Sequence, residues 1–129
     1  MAITFDKENT LKDEGVWASY AGSEFKLAHS GNNKFQRALS RLQAPHRRKI
    51  DKGSLDPVES KNIICKAMAE GLVLDWKNVV DSKGVQVVFD KDKCFTALVN
   101  NEDLREFIQE FALDLENFKS EESNRQGNV

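Results

Sequence analysis

Residues 70–89 read EGLVLDWKNVVDSKGVQVVF, and the way this stretch divides into elements decides the fold. It is entered from residues 56–76, DPVESKNIICKAMAEGLVLDW, which carry the clearest helix start in the chain. Asp56 is placed as the N-cap and Pro57 as the first helical residue, where a missing N–H costs nothing. Glu59 completes a capping-box-like pattern. Ile63, Ile64, Ala67, Met68 and Leu72 form the expected buried stripe. Gly71 either ends the helix or lets another backbone approach closely. Trp76 follows an apolar helix face and precedes a valine-rich run, so it is expected as a core anchor rather than a partner hot spot. Residues 78–89 then read as a hairpin. Asp81-Ser82-Lys83-Gly84 is the turn, with Gly84 suited to a left-handed position. Val85, Val87 and Phe89 alternate with Gln86 and Val88.

Upstream, GVWASYAGSEFKLAHSG (residues 15–31) reads as another hairpin. Trp17, Tyr20, Phe25 and Leu27 supply strand residues, and Ala21-Gly22-Ser23 the turn. Alternation puts Phe25, Leu27 and His29 on one face. NNKFQRALSRLQA (32–44) then reads as a helix capped by Asn32 or Asn33. Phe35, Ala38, Leu39 and Leu42 lie on its buried face, and Pro45 breaks or kinks it. Downstream, DKDKCFTALVN (90–100) is a short helix capped by Asp90, and NEDLREFIQEFALDLENF (101–118) is a strongly periodic one. Leu104, Phe107, Ile108, Phe111, Leu115 and Phe118 mark its apolar stripe. That stripe is expected in the core, and any exposed part of it could pair with its equivalent in a second subunit.

The expected fold is therefore mainly α with one or two short β-hairpins, a small α+β domain of about four helices. The hairpins either join in one small sheet or stand as appendages on the helical body. Residues 1–14 are expected to be a flexible N-terminal segment, 15–118 a single domain, and 119–129 a disordered polar tail.

Apolar residues make up 40% of the 129 and charged residues 31%, a balance that suits a soluble globular chain. No apolar run approaches the roughly 20 residues needed to span a bilayer, so no membrane partner is expected. Cys65 and Cys94 form no CxxC pair, and only two histidines accompany them. No metal site is expected, and reduced thiols are favoured over a disulfide. The two histidines lie in different contexts and build no triad, and neither GxxxxGKS/T nor GxGxxG occurs. Neither catalysis nor a cofactor is expected.

Charge is unevenly placed, although the net charge is only −2. Residues 34–52 hold seven cations, among them Arg37, Arg41, Arg47 and Arg48, against Asp51 alone. Residues 101–118 hold six acids against Arg105 alone. The two segments could steer a partner, or face each other within the fold or between subunits.

The order of motifs carries a resemblance. EFKLAHSGNNKFQRALSRL, then MAEGLVLDWKNVVDSKGVQVVF, then DKDKCFTALVNNEDLREFIQEFALDLENF resembles the tail assembly chaperones of long-tailed (siphovirus-type) bacteriophages over residues 24–118. The run from Gly71 through Trp76 and Asp81 to Gly84 is its most specific part. The resemblance implies a non-catalytic protein of the infected host's cytoplasm that is absent from the mature virion. Such a protein binds the tape measure protein and keeps it soluble while tail tube subunits assemble. A longer, frameshifted form engages the tube protein in many family members. The resemblance assigns no binding residues. Arg37, Arg41, Arg47, Arg48, Phe107 and Phe111 are the partner-binding candidates on charge and periodicity, and Gly71, Trp76 and Gly84 are the structural anchors. The rival readings are a structural tail component of the virion and a small nucleic-acid-binding regulator. The slightly acidic composition disfavours the latter.

Overall fold

Asn32 ties the first half of the chain together. Its side-chain oxygen accepts from the Phe35 N–H at 2.9 Å, which caps helix α1 (Asn33–Gln43). Its amide nitrogen donates to the carbonyls of His29 at 2.5 Å and Gly71 at 2.9 Å. A buried amide is thus spent on three backbone groups that would otherwise be dehydrated and unpaired. Gly71 closes helix α3 (Pro57–Gly71) against the start of α1. A Cβ at Gly71 would stand 2.4 Å from the Phe35 Cα, so only glycine permits this approach.

The computed structural model describes residues 5–6 and 11–119. Most of the expected flexible segment (1–14) and of the expected disordered tail (119–129) lies outside the described residues. Within them, the Leu11 N–H donates to the Phe118 carbonyl, and the His29 N–H to that of Lys12 at 3.0 Å.

Strands β1 (Val16–Tyr20) and β2 (Ser23–Leu27) pair antiparallel, with Ala18 opposite Phe25. Ala21 and Gly22 both take positive φ, at 51° and 81°, as a two-residue turn matched to strand twist requires. After α1, Pro45 lies in a 3-10 turn (Ala44–His46), and a short helix α2 (Arg47–Asp51) follows. Asp56 caps α3 by accepting from the Val58 N–H at 2.8 Å. The Glu59 carboxylate lies 3.7 Å from His46 Nδ1.

Three expectations are corrected here. The fold is not mainly α: Gly71 ends the helix, one of the two roles expected of it, and an unexpected strand follows. Val73–Lys77 forms strand β3, which pairs with β2 and completes a three-stranded antiparallel sheet in the order β1-β2-β3. The molecule is accordingly a small α+β domain with an integral sheet, not a mainly helical body carrying hairpins. Residues 79–88 build no second pair of strands. Their cross-connection is the single bridge between Val80 and Gln86, around a turn in which Gly84 takes φ +81°. Finally, the last helix stops early. Helix α5 spans Glu102–Leu113, Asp114 leaves helical geometry, and Leu115–Phe118 form a 3-10 turn.

Helix α4 (Lys91–Asn100) is capped by Asp90, whose carboxylate accepts from the Lys93 N–H at 2.7 Å. The inner face of the sheet meets α4 and α5, where Phe25, Val73 and Trp76 gather with Cys94, Leu98, Leu104 and Ile108. Helix α3 packs between α1 and α4, so it buries more of its circumference than one stripe provides. Cys65, Ala67, Met68 and Ala69 are all buried, whereas Ile63 and Ile64 are only half-buried.

Candidate functional site

The bulge in β3 shapes the main groove. Register slips between Lys26 and Leu27, so that Lys26 faces Asp75 while Leu27 faces Val73. Leu74 is the extra residue, and a bulge re-aims its side chain. Leu74 reaches toward Gly15 and lines a groove of about 600 Å³ along the start of α1 and the end of α3. Lys34, Arg37 and Lys91 supply cations to this groove, and Asp13 and Glu70 supply acids. Arg41, at its wall, donates to both carboxylate oxygens of Glu70 at 2.7 and 2.8 Å. The pair is exposed, so it contributes less than about 1 kcal/mol, and both of its bonds leave one nitrogen, Nη2, which the two carboxylate oxygens share.

The structure therefore brings Arg37 and Arg41 together at the groove. Arg47 and Arg48 sit on α2 and do not line it. Phe107 and Phe111 belong elsewhere, in a row of aromatic rings. Tyr20 stacks on Phe107 at 4.8 Å, Phe107 lies 6.0 Å from Phe111, and Phe118 meets Phe111 edge-on at 5.6 Å. His29 continues the row against Phe118 at 5.4 Å. Both phenylalanines are half-buried and spend much of their surface on this row.

Trp76 is held in the core, with its ring edge-on to Phe25 and Phe89. Its Nε1–H donates to the Val87 carbonyl at 2.7 Å and so fastens the 79–89 loop to the sheet. Trp17 is the opposite case. It alternates with buried Ala18, stands 40% exposed on the outer face of the sheet, and carries the Lys77 ammonium 4.2 Å from its ring centroid. Trp17 and Lys91 were not singled out in the sequence as surface residues. Strand alternation beside Ala18 was the available signal for Trp17. Nothing local connects Lys91 with α1, because the groove joins residues distant in the chain.

The thiols are chemically quiet. Cys65 and Cys94 are free and buried. Burial pushes the Cys94 thiol up to about 12, helped by nearby Cys65 and by the Asp90 carboxylate. Burial also raises Cys65, against smaller opposing effects of Arg105 and Lys61. A thiol held neutral is a poor nucleophile. Among the described residues, no three His, Cys, Asp or Glu side chains gather as a metal site.

Fold and surface together define a small α+β protein that offers an open, charged groove. The family of this chain is shown by a match over residues 30–127: it belongs to the YdaY prophage protein family and is phage-derived. The matched span begins just after the β1–β2 hairpin and takes in every helix described above. No curated protein and no solved structure matches the chain.

Proposed function

We propose that this prophage protein is a tail assembly chaperone, which binds the tape measure protein and holds it soluble while tail tube subunits are recruited. The groove between α1 and the end of α3 carries the reading. Its lining joins apolar Ala38 and Leu74 to the cations Lys34, Arg37, Arg41 and Lys91 and the acids Asp13 and Glu70. An amphipathic helical segment needs this combination, with apolar contact below and charge to either side. The resemblance of residues 24–118 to tail assembly chaperones supports the same reading, as does the phage origin of the family. On this proposal the protein acts in the cytoplasm of the infected host and is left out of the finished particle.

Co-expression with the tape measure protein of the same prophage tests it. The expected result is a co-purifying complex and a larger soluble fraction of the client. Lys34→Glu with Arg37→Glu should reduce both while leaving the circular dichroism spectrum unchanged. If the client is equally soluble alone and no complex forms, the proposal is wrong. Abundant protein in purified particles would instead indicate a structural tail component.

A further inference from the structure

The acids of α5 form a stripe that no ion pair among the described residues neutralises. Glu102, Glu106 and Glu110 follow one another at i, i+4 on the exposed side of the helix, with Asp103 beside them. Like charges at this spacing destabilise an isolated helix. Among the described residues, no ion pair reaches these three glutamates. Arg105 is the sole cation of residues 101–118, and it is turned away. Its Nη1 donates to the carbonyls of Leu98 at 2.7 Å and Val99 at 3.1 Å, at the end of α4.

The basic side mirrors this. Arg47, Arg48 and Lys49, consecutive on α2, are exposed and make no ion pair among the described residues. Arg41 is already engaged by Glu70. The two clusters do not meet within one chain, because α2 follows α1, which packs on α3, whereas α5 packs on α4.

We propose that the Glu102/Glu106/Glu110 stripe of one copy docks on the Arg47/Arg48/Lys49 cluster of α2 in a second copy of this chain. The contact joins different surfaces of the two molecules. Each added copy leaves one acidic and one basic face open, so association proceeds head to tail into a ring or a short filament. Eight residues separate Glu102 from Glu110, about 12 Å of helix. Charge complementarity selects the partner copy and speeds encounter. This assembly requires no tail client, so it stands or falls separately from the chaperone reading.

Sedimentation velocity of the full chain at micromolar concentrations tests it, at ionic strengths of about 0.05 M and 0.5 M, between which the screening length falls about threefold. The expected result is mass above the 14.6 kDa monomer at low salt and an association constant reduced at least about tenfold at high salt. Arg47→Glu/Arg48→Glu/Lys49→Glu, which leaves the groove lining intact, should be monomeric, and so should Glu102→Lys/Glu106→Lys/Glu110→Lys. Mixing the two should restore association. Glu102→Gln/Glu106→Gln/Glu110→Gln, which removes the helix's own repulsion and is safe for folding, should be monomeric as well. A monomeric wild type at low salt overturns the proposal, as does association insensitive to salt. Loss from one face alone, or failure of the mixture to associate, overturns it equally. Binding of nucleic acid by the basic face with no self-association would assign that face to a different partner.

Discussion

At the scale of single residues, Asn32 and Cys94 make the sharpest statements. Asn32 accepts one hydrogen bond and donates two, all to backbone. Asn32→Asp keeps the acceptor that caps α1 but aims a carboxylate at two carbonyl oxygens. It should therefore destabilise the fold about as much as Asn32→Ala, roughly 2–3 kcal/mol in denaturant unfolding. A role in capping alone would leave Asp nearly neutral. The sequence marked Asn32 as one of two possible caps, but its bond to Gly71 spans 39 positions and has no local signature. Cys94 makes a pH prediction. Its folded value of about 12 lies above that of an exposed thiol. The unfolded state therefore releases this proton first as pH rises. The stability tied to the neutral thiol is complete below the ordinary thiol range and is lost between about pH 9 and pH 12. Chemical denaturation across that window should show a steeper decline for wild type than for Cys94→Ala. Equal declines would mean that the thiol does not carry the effect.

At the scale of elements, caps were legible and the helix-to-strand transition was not. Asp56-Pro57 and Asp90 act locally, through carboxylates that reach N–H groups two or three residues ahead. The boundary after Gly71 depends on partners elsewhere. Leu72, Val73 and Leu74 are consecutive apolar residues with no period to distinguish helix from strand. The close approach of Phe35 stops α3, and the open edge of β2 takes up the next five residues. The apolar stripe of the last helix misled for a related reason. Phe118 remains buried after α5 has ended at Leu113, because the turn carries its ring against Phe111 and His29, while Leu113 and Leu115 are exposed. The 79–89 loop depends on Trp76. Trp76→Phe keeps the ring contacts but removes the donor to Val87. It should cost about 1–2 kcal/mol and raise amide exchange in residues 79–89 more than in α3. Uniform acceleration across both would show that the bond does not single out the loop.

At the scale of the whole molecule, charge segregation was plain in the sequence, but its consequence required the packing order. Composition shows a basic and an acidic segment. The arrangement with α3 and α4 intervening shows that they do not neutralise each other within the chain. The groove was less legible than the charge, because Asp13, Arg37, Leu74 and Lys91 come from four separate parts of the chain. With both charged faces unpaired, the dilute monomer carries repulsion that salt screens. Its thermal midpoint, measured well below the concentration of any assembly, should rise by a few degrees from about 0.05 M to 0.5 M salt. A midpoint that falls would mean that attractive pairs dominate the monomer.

The backbone bond from Leu11 to Phe118 has a topological consequence. It brings the two ends of the described chain side by side, so the fold is nearly a closed loop in which the position of the break is arbitrary. The exposed Ser82–Lys83 turn is a natural place for a new break, since Asp81 alone organises it through bonds to the Lys83 and Val85 N–H groups. A circular permutant that links Phe118 to Leu11 through a few glycines and begins at Lys83 should fold to the same sheet order. The described chain therefore enters at Leu11 and leaves at Phe118 on the same patch of its surface.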